Sequence, residues 1–214
     1  MKPANDPKVD YKDLVRKGYN DCAAAYDQAR EREAAPQLLN LMDRLEEGSR
    51  VLDIGCGAGI PVTQPLARWF KVTGVDISEE MLKRAHANVP EARFILGDIM
   101  AVELPLLYFD AVVSFYAVFN IPREEHPELF RRIHKWLKPG GYLLASVAWN
   151  NEAAYTQDDF FGVTMYWSNY SLAEYKEIIT SSGFSLLETS ILGHGYDRTD
   201  VKVERHPLIF ARKI

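Results

Sequence analysis

The chain has 214 residues, 47% of them hydrophobic and 26% charged, the balance of an ordinary globular protein and not of a disordered, collagen-like or disulfide-scaffold chain. A net charge of -5 offers no broad positive field for phosphates, so no nucleic-acid partner is expected. Cys22 and Cys56 have neither disulfide nor zinc spacing, the first residues carry no apolar signal core, and no stretch approaches the roughly 20 apolar residues of a membrane helix. The expectation is therefore one cytoplasmic domain over 1–214 with no membrane partner.

Residues 1–48 read as a helical arm: Leu14, Val15, Tyr19, Cys22, Ala23 and Tyr26 recur at helical spacing, as do Leu38, Leu39, Met42 and Leu45, and Gly48-Ser49 ends the pattern. Over 49–149 the period changes. Short β-branched runs (Arg50 to Ile54, Lys71 to Val75, Ala92 to Leu96, Phe109 to Tyr116, Gly141 to Ala148) alternate with helical patterns, the signature of βαβ units and a parallel sheet. Ser78 before Glu79 and Glu80 predicts a helix start; Pro122 opens another helix, and Pro139-Gly140-Gly141 closes it. Residues 150–170 are rich in aromatic and polar residues and read as an insert or lid. In 171–214, Ser171 with Glu174 forms a capping box, Gly183 stops that helix, and two strand-like runs follow, Phe184 to Leu192 and Val201 to Arg212, joined by a turn over Gly193 to Asp197.

The most informative segment is Val51-Leu52-Asp53-Ile54-Gly55-Cys56-Gly57-Ala58-Gly59, a buried strand entering a glycine-rich turn and a helix. Glycines there let backbone approach a ligand closely. Asp76 ends the second strand about 20 residues on, at the carboxyl edge where open α/β sheets bind nucleotides. The alternative is a plain strand-helix turn with a solvated acid. A dinucleotide fingerprint needs glycine where Ile60 stands, and Asp53 is awkward beside a pyrophosphate, though suited to a cationic ammonium group.

This segment resembles the first motif of the class I S-adenosylmethionine-dependent methyltransferases. Val72 to Ser78 with Met81 is similar to that family's ribose motif and Phe94 to Ile99 to its adenine motif; Phe109 to Ser114 and Leu137 to Gly141 are similar to its fourth and fifth strands. The resemblance covers about 45–150. It implies an α/β three-layer Rossmann-like fold, with a seven-stranded mostly parallel sheet whose last strand is antiparallel, and the cofactor S-adenosyl-L-methionine.

Carried over by residue, the resemblance puts Gly55 and Gly57 at the methionine part of the cofactor, with Asp53 near its ammonium through water or backbone. Asp76, expected at an exposed strand end, takes both ribose hydroxyls; Ile77 and Met81 pack on adenine. Asp98 accepts from the adenine amine and the Ile99 amide donates to a ring nitrogen. Ser114, Phe115 and Tyr116 stand beside the sulfonium, and Tyr19 is the arm residue expected over the methionine end. No catalytic residue is assigned; Tyr19, Tyr116 and His194 are candidates. Cys56 reads as packing, and the histidines lack metal-ligand spacing, so no metal is expected. A small-molecule methyl acceptor is expected, with a nicotinamide-dependent oxidoreductase and a non-catalytic cofactor-binding protein as alternatives.

Overall fold

The computed structural model describes residues 1–30, 32–193 and 205–214. A long helix, α1 (Tyr11–Ala29), starts at Asp10, whose carboxylate accepts from the Asp13 amide; a short one, α2 (Pro36–Met42), has proline in its first turn. Next come β2 (Arg50–Ile54), α3 (Thr63–Ala67), β3 (Lys71–Asp76), α4 (Glu79–Asn88), β4 (Arg93–Leu96) and β5 (Phe109–Ser114). The chain continues through α5 (His126–Trp136), β6 (Leu137–Ser146), α6 (Leu172–Ser181), β9 (Phe184–Gly193) and β10 (Arg205–Lys213).

These strands form a seven-stranded sheet in the order β4-β3-β2-β5-β6-β10-β9. β2 pairs parallel with β3 on one side and β5 on the other, and β10 runs antiparallel to both β6 and β9. Both faces are covered, which explains the near-continuous apolar runs. Leu52 and Ile54 pack on one side with Leu129, Phe130 and Ile133 of α5. Val51 and Val113 pack on the other with Leu38 and Leu41 of α2. The three-layer α/β architecture expected from the sequence is the one observed, antiparallel last strand included.

Several boundaries differ for identifiable reasons. β5 stops at Ser114 instead of Tyr116, because Tyr116 turns the chain with a φ of 58°. The Lys138-Pro139-Gly140 segment is no simple turn: it lies within β6, where a register irregularity opposite Phe109/Ala111 accommodates it. The helix expected from Pro122 starts at His126, after a single 3-10 turn at Arg123–Glu125. The final strand is described over Arg205–Lys213; residues 201–204 of the expected run, and 194–197 of the expected turn, lie outside the described residues.

The largest difference is the insert. It is a hairpin of β7 (Glu152–Phe160) and β8 (Val163–Asn169), with β1 (Lys2–Pro3) added antiparallel to β7 as a third strand. Phe161 and Gly162 make its two-residue turn with φ of 52° and 82°, the sign that suits the twist of a hairpin. α1 lies on this sheet: Tyr11 stacks on Tyr166 with ring centroids 4.8 Å apart, and Gly18 sits where a Cβ would come 3.0 Å from the Met165 methyl.

Beneath the sheet edge a buried pair fixes the loop after β5. His126 donates from Nε2 to the Ile121 carbonyl at 2.9 Å and accepts at Nδ1 from the Tyr175 hydroxyl at 3.0 Å. Burial lowers the His126 pKa to about 4, so the ring stays neutral in the tautomer this requires. Tyr175→Phe strands the Nδ1 acceptor in the core and is expected to cost about 1–3 kcal/mol of stability, read as a lower urea midpoint with unchanged slope.

Candidate functional site

The ends of β2, β3, β4 and β5 meet at one edge of the sheet, where α1 and the loop after β5 line a partly open cavity. Its floor is Ile54, Gly55, Gly57 and Asp76; Ile77, Met81, Asp98 and Ile99 wall one end. Phe115, Tyr116 and Asn120 wall the other side, and Val15, Tyr19 and Tyr26 of α1 form the roof.

The glycine turn is held tightly. The Gly55 amide donates to the Val75 carbonyl at 2.8 Å, and Gly55 has a φ of 69°, with a Cβ there running into the Ala117 methyl. Gly57, at φ 52°, donates its amide to Asp76 Oδ2 at 2.8 Å, while Asp76 Oδ1 accepts from the Ser78 amide at 2.8 Å. Asp76 is therefore no exposed strand end: it is half-buried and braces the turn. Burial raises its pKa, and the Ser78 and Gly57 amides work against that rise. Each oxygen still has an acceptor position to spare.

Asp98 accepts at Oδ1 from the Met100 amide at 2.9 Å and at Oδ2 from Lys12 of α1 at 2.7 Å. The Tyr19 hydroxyl donates to Asn120 Oδ1 at 3.1 Å, and Asn120 donates to the Tyr166 carbonyl at 2.8 Å, tying roof, loop and hairpin together. Ser78 caps α4, accepting from the Met81 amide at 3.1 Å, and donates to Asn20 of α1 at 2.7 Å.

A second, smaller cavity adjoins the glycine turn, lined by Tyr26, Arg30, Asp53, Cys56, Ala58 and Phe115 among others. Asp53 lines this one and not the larger cavity; it is buried and accepts from the Thr63 hydroxyl at 2.6 Å. Burial raises its pKa to about 7, with the Asp76 charge adding to the rise and the Thr63 bond opposing it. Arg30 lies with its guanidinium carbon 4.3 Å from the Tyr116 ring centroid and 5.4 Å from that of Tyr26. The Cys56 thiol is buried and raised well above its ordinary value, first by burial and then by the two aspartates, which fits packing and not nucleophilic chemistry.

The structure thus brings together Tyr19, Gly55, Gly57, Asp76, Ile77, Met81, Asp98, Ile99, Phe115 and Tyr116. Ser114 does not join them: it is fully buried under the edge, its hydroxyl 3.3 Å from the Ile54 carbonyl. His194 lies outside the described residues. Lys12, Arg30 and Asn120 were not singled out from the sequence. The helical spacing of Lys12, Val15, Tyr19 and Tyr26 was a signal for the first; Asn120 sits in a loop whose position no local pattern encodes. Among the described residues there is no group of three or more His, Cys, Asp or Glu able to hold a metal, and no helix long and apolar enough to cross a membrane.

Residues 51–141 match the sequence family described as a methyltransferase domain. The chain is 30% identical over 158 residues to phosphoethanolamine N-methyltransferase of Plasmodium falciparum, covering 71% of this chain and 59% of that protein. It is 37% identical over 130 residues to trans-aconitate 2-methyltransferase of Variovorax paradoxus, covering 59% and 48%. The match thus spans about half the length of these curated relatives. In fold, it superposes on magnesium protoporphyrin IX methyltransferase of Synechocystis PCC 6803 with a TM-score of 0.71 at 18% identity, over 98% of this chain and all of that one. Sheet order and glycine turn give a Rossmann-like fold, and the matched methyltransferase domain runs from β2 to the start of β6. The Synechocystis enzyme it superposes on was solved with bound SAM.

The Asp53 shift has a measurable sign. Between about pH 4 and 7 the folded protein keeps a proton on Asp53 that the unfolded chain has released, so this group makes stability fall as pH rises, by about 1.4 kcal/mol per pH unit. Asp53→Asn is expected to remove that slope, so that the variant gains on the wild type from pH 4.5 to 7 and the difference levels off above 7. Urea unfolding at a series of pH values checks it; a parallel pair of curves refutes it.

Proposed function

We propose that the protein transfers a methyl group from S-adenosylmethionine to a small-molecule acceptor. The observation that carries this reading is the cavity at the sheet edge, where the glycine turn, Asp76 and Asp98 stand in one row under α1. The residues fit the cofactor chemically. Asp76 has acceptor positions for two ribose hydroxyls; Ile77 and Met81 supply apolar surface for adenine; Asp98 and the Ile99 amide offer the acceptor and donor that an adenine edge complements. Gly55 and Gly57 leave room for the methionine part.

At the far end, the smaller cavity pairs a buried acid, Asp53, with a guanidinium, Arg30. That pairing suits an amino-acid head bearing one ammonium and one carboxylate. Phe115, Tyr116 and Tyr19 lie where this arrangement puts the sulfonium, and aromatic faces attract such a cation. When bound, the cofactor supplies an electrophilic methyl carbon; the acceptor forms a bond to it as the sulfur-carbon bond breaks. The chain's part is alignment and exclusion of water under the roof of α1. The acceptor is a small molecule in this reading, as in the relatives named for phosphoethanolamine and trans-aconitate.

Titration calorimetry with S-adenosylhomocysteine and with 5′-methylthioadenosine, which lacks the amino-acid head, tests both ends of the site. Asp76→Asn is expected to weaken both ligands by about tenfold or more, the scale of a lost charged hydrogen bond. Arg30→Gln is expected to weaken S-adenosylhomocysteine to a similar extent while leaving methylthioadenosine within about twofold. Equal losses for the two ligands at Arg30 refute its role at the carboxylate, and no heat with wild-type protein refutes the cofactor reading.

A further inference from the structure

In the first turn of α1 one ammonium group meets two acids. Lys12 Nζ stands 2.7 Å from Asp98 Oδ2 and 2.6 Å from Glu125 Oε2. The two acids come from different parts of the fold: Asp98 follows β4, and Glu125 precedes α5. Lys12 is three residues before Val15 and seven before Tyr19, on the helix face that roofs the cavity. All three side chains are partly buried, at 25%, 27% and 33% exposure, so solvent screens the bridge less than it screens a surface pair.

The partners of the bridge are themselves anchored. The Asp98 loop is held by the Met100 amide, and Arg132 of α5 donates to the Met100 carbonyl and, at 2.7 Å, to that of Val102. Elsewhere α1 is tied to the main body by the neutral pairs Tyr19–Asn120 and Asn20–Ser78 and by a longer ion pair, Asp27 with Arg84 of α4 at 3.6 Å. The bridge is thus the closer ionic fastening of the roof, at the N-terminal end of α1, and one of its acids lines the cavity.

We propose that Lys12 is a positioning residue for cofactor exchange: it holds the Asp98 carboxylate toward the cavity and fastens α1 over it, so that opening this bridge sets how fast spent cofactor leaves. This rests on the cofactor reading above. A carboxylate accepts several hydrogen bonds, so Asp98 serves Lys12 and an adenine amine together, and the bridge stays closed with ligand in place. Replacing Lys12 by a neutral residue leaves two carboxylates facing each other across the gap, which favours the open roof.

The test is stopped-flow measurement of S-adenosylhomocysteine association and dissociation, by intrinsic fluorescence, in Lys12→Met, Lys12→Arg, Glu125→Gln and the control Lys17→Met. Lys17 lies on the same helix and pairs within it, to Asp13 at 2.7 Å. Lys12→Met is expected to raise the dissociation rate about fivefold or more, the scale of one to two partly exposed ion pairs. Association should quicken too, so that affinity falls less than dissociation rises. Lys12→Arg should restore most of the wild-type rate. Glu125→Gln should show a smaller rise that adds little to Lys12→Met, and it carries the test if Lys12→Met fails to fold. Unchanged dissociation in Lys12→Met and Glu125→Gln overturns the proposal, as does an equal effect in Lys17→Met. Absence of any binding by the wild type overturns the cofactor reading and this inference with it, a result distinct from binding with unaltered rates.

Discussion

The site is organised by one carboxylate. Asp76 ends β3 half-buried and takes the Gly57 amide on one oxygen and the Ser78 amide on the other. The first bond closes the glycine turn against the neighbouring strand; the second sets the start of α4. Burying an acid is costly unless donors meet it, and here the donors are backbone groups that have no other partner at a strand end and a helix start. The cost and its compensation are confined to the point where two parallel strands finish side by side. Gly55 follows from that constraint, since at its φ of 69° a Cβ would run into the Ala117 methyl, and Gly57 takes the left-handed φ of 52° that glycine favours.

Over this fixed floor lies a roof of different character. α1 touches the sheet edge through side chains: Lys12 at one end, Tyr19 and Asn20 in the middle, Tyr26 and Arg30 at the other. Its apolar back rests on the β7-β8 hairpin, where Gly18 admits the Met165 side chain. The helix therefore belongs to the hairpin sheet as much as to the main one. Charges are distributed along it with the same logic, a cation at each end and rings between, above a floor whose titratable groups are aspartates. Such an arrangement suits a ligand with hydroxyls and a positive centre in its middle and donors or a carboxylate toward its ends.

Much of this was legible in residue order. The run from Val51 to Ile54 with glycines behind it, and an acid ending the next strand, need only local chemistry: a strand buried on both faces must be apolar throughout, and a tight turn at its tip must be glycine. Where local reading failed, distant contacts had decided. Ser114 looks like an edge residue but is sealed beneath Ile54, because the chain departs two residues later through the left-handed Tyr116. The insert lacked a common hairpin turn pair, so its strands were hidden; they are stabilised by α1 and by the two-residue β1 from the far N-terminus.

By itself the sequence determined the sheet, its order of strands and helices, and the acids and glycines at the strand tips, because periodicity and turn chemistry act over a few residues. Tertiary structure alone decided which side chains face the cavity together. Lys12 meets Asp98 and Glu125 across separations of 86 and 113 residues, and Asn120 meets Tyr19 and Tyr166. Those meetings arise from the packing of α1 on the hairpin and of the hairpin over the sheet edge, which is a matter of shape and of no local pattern.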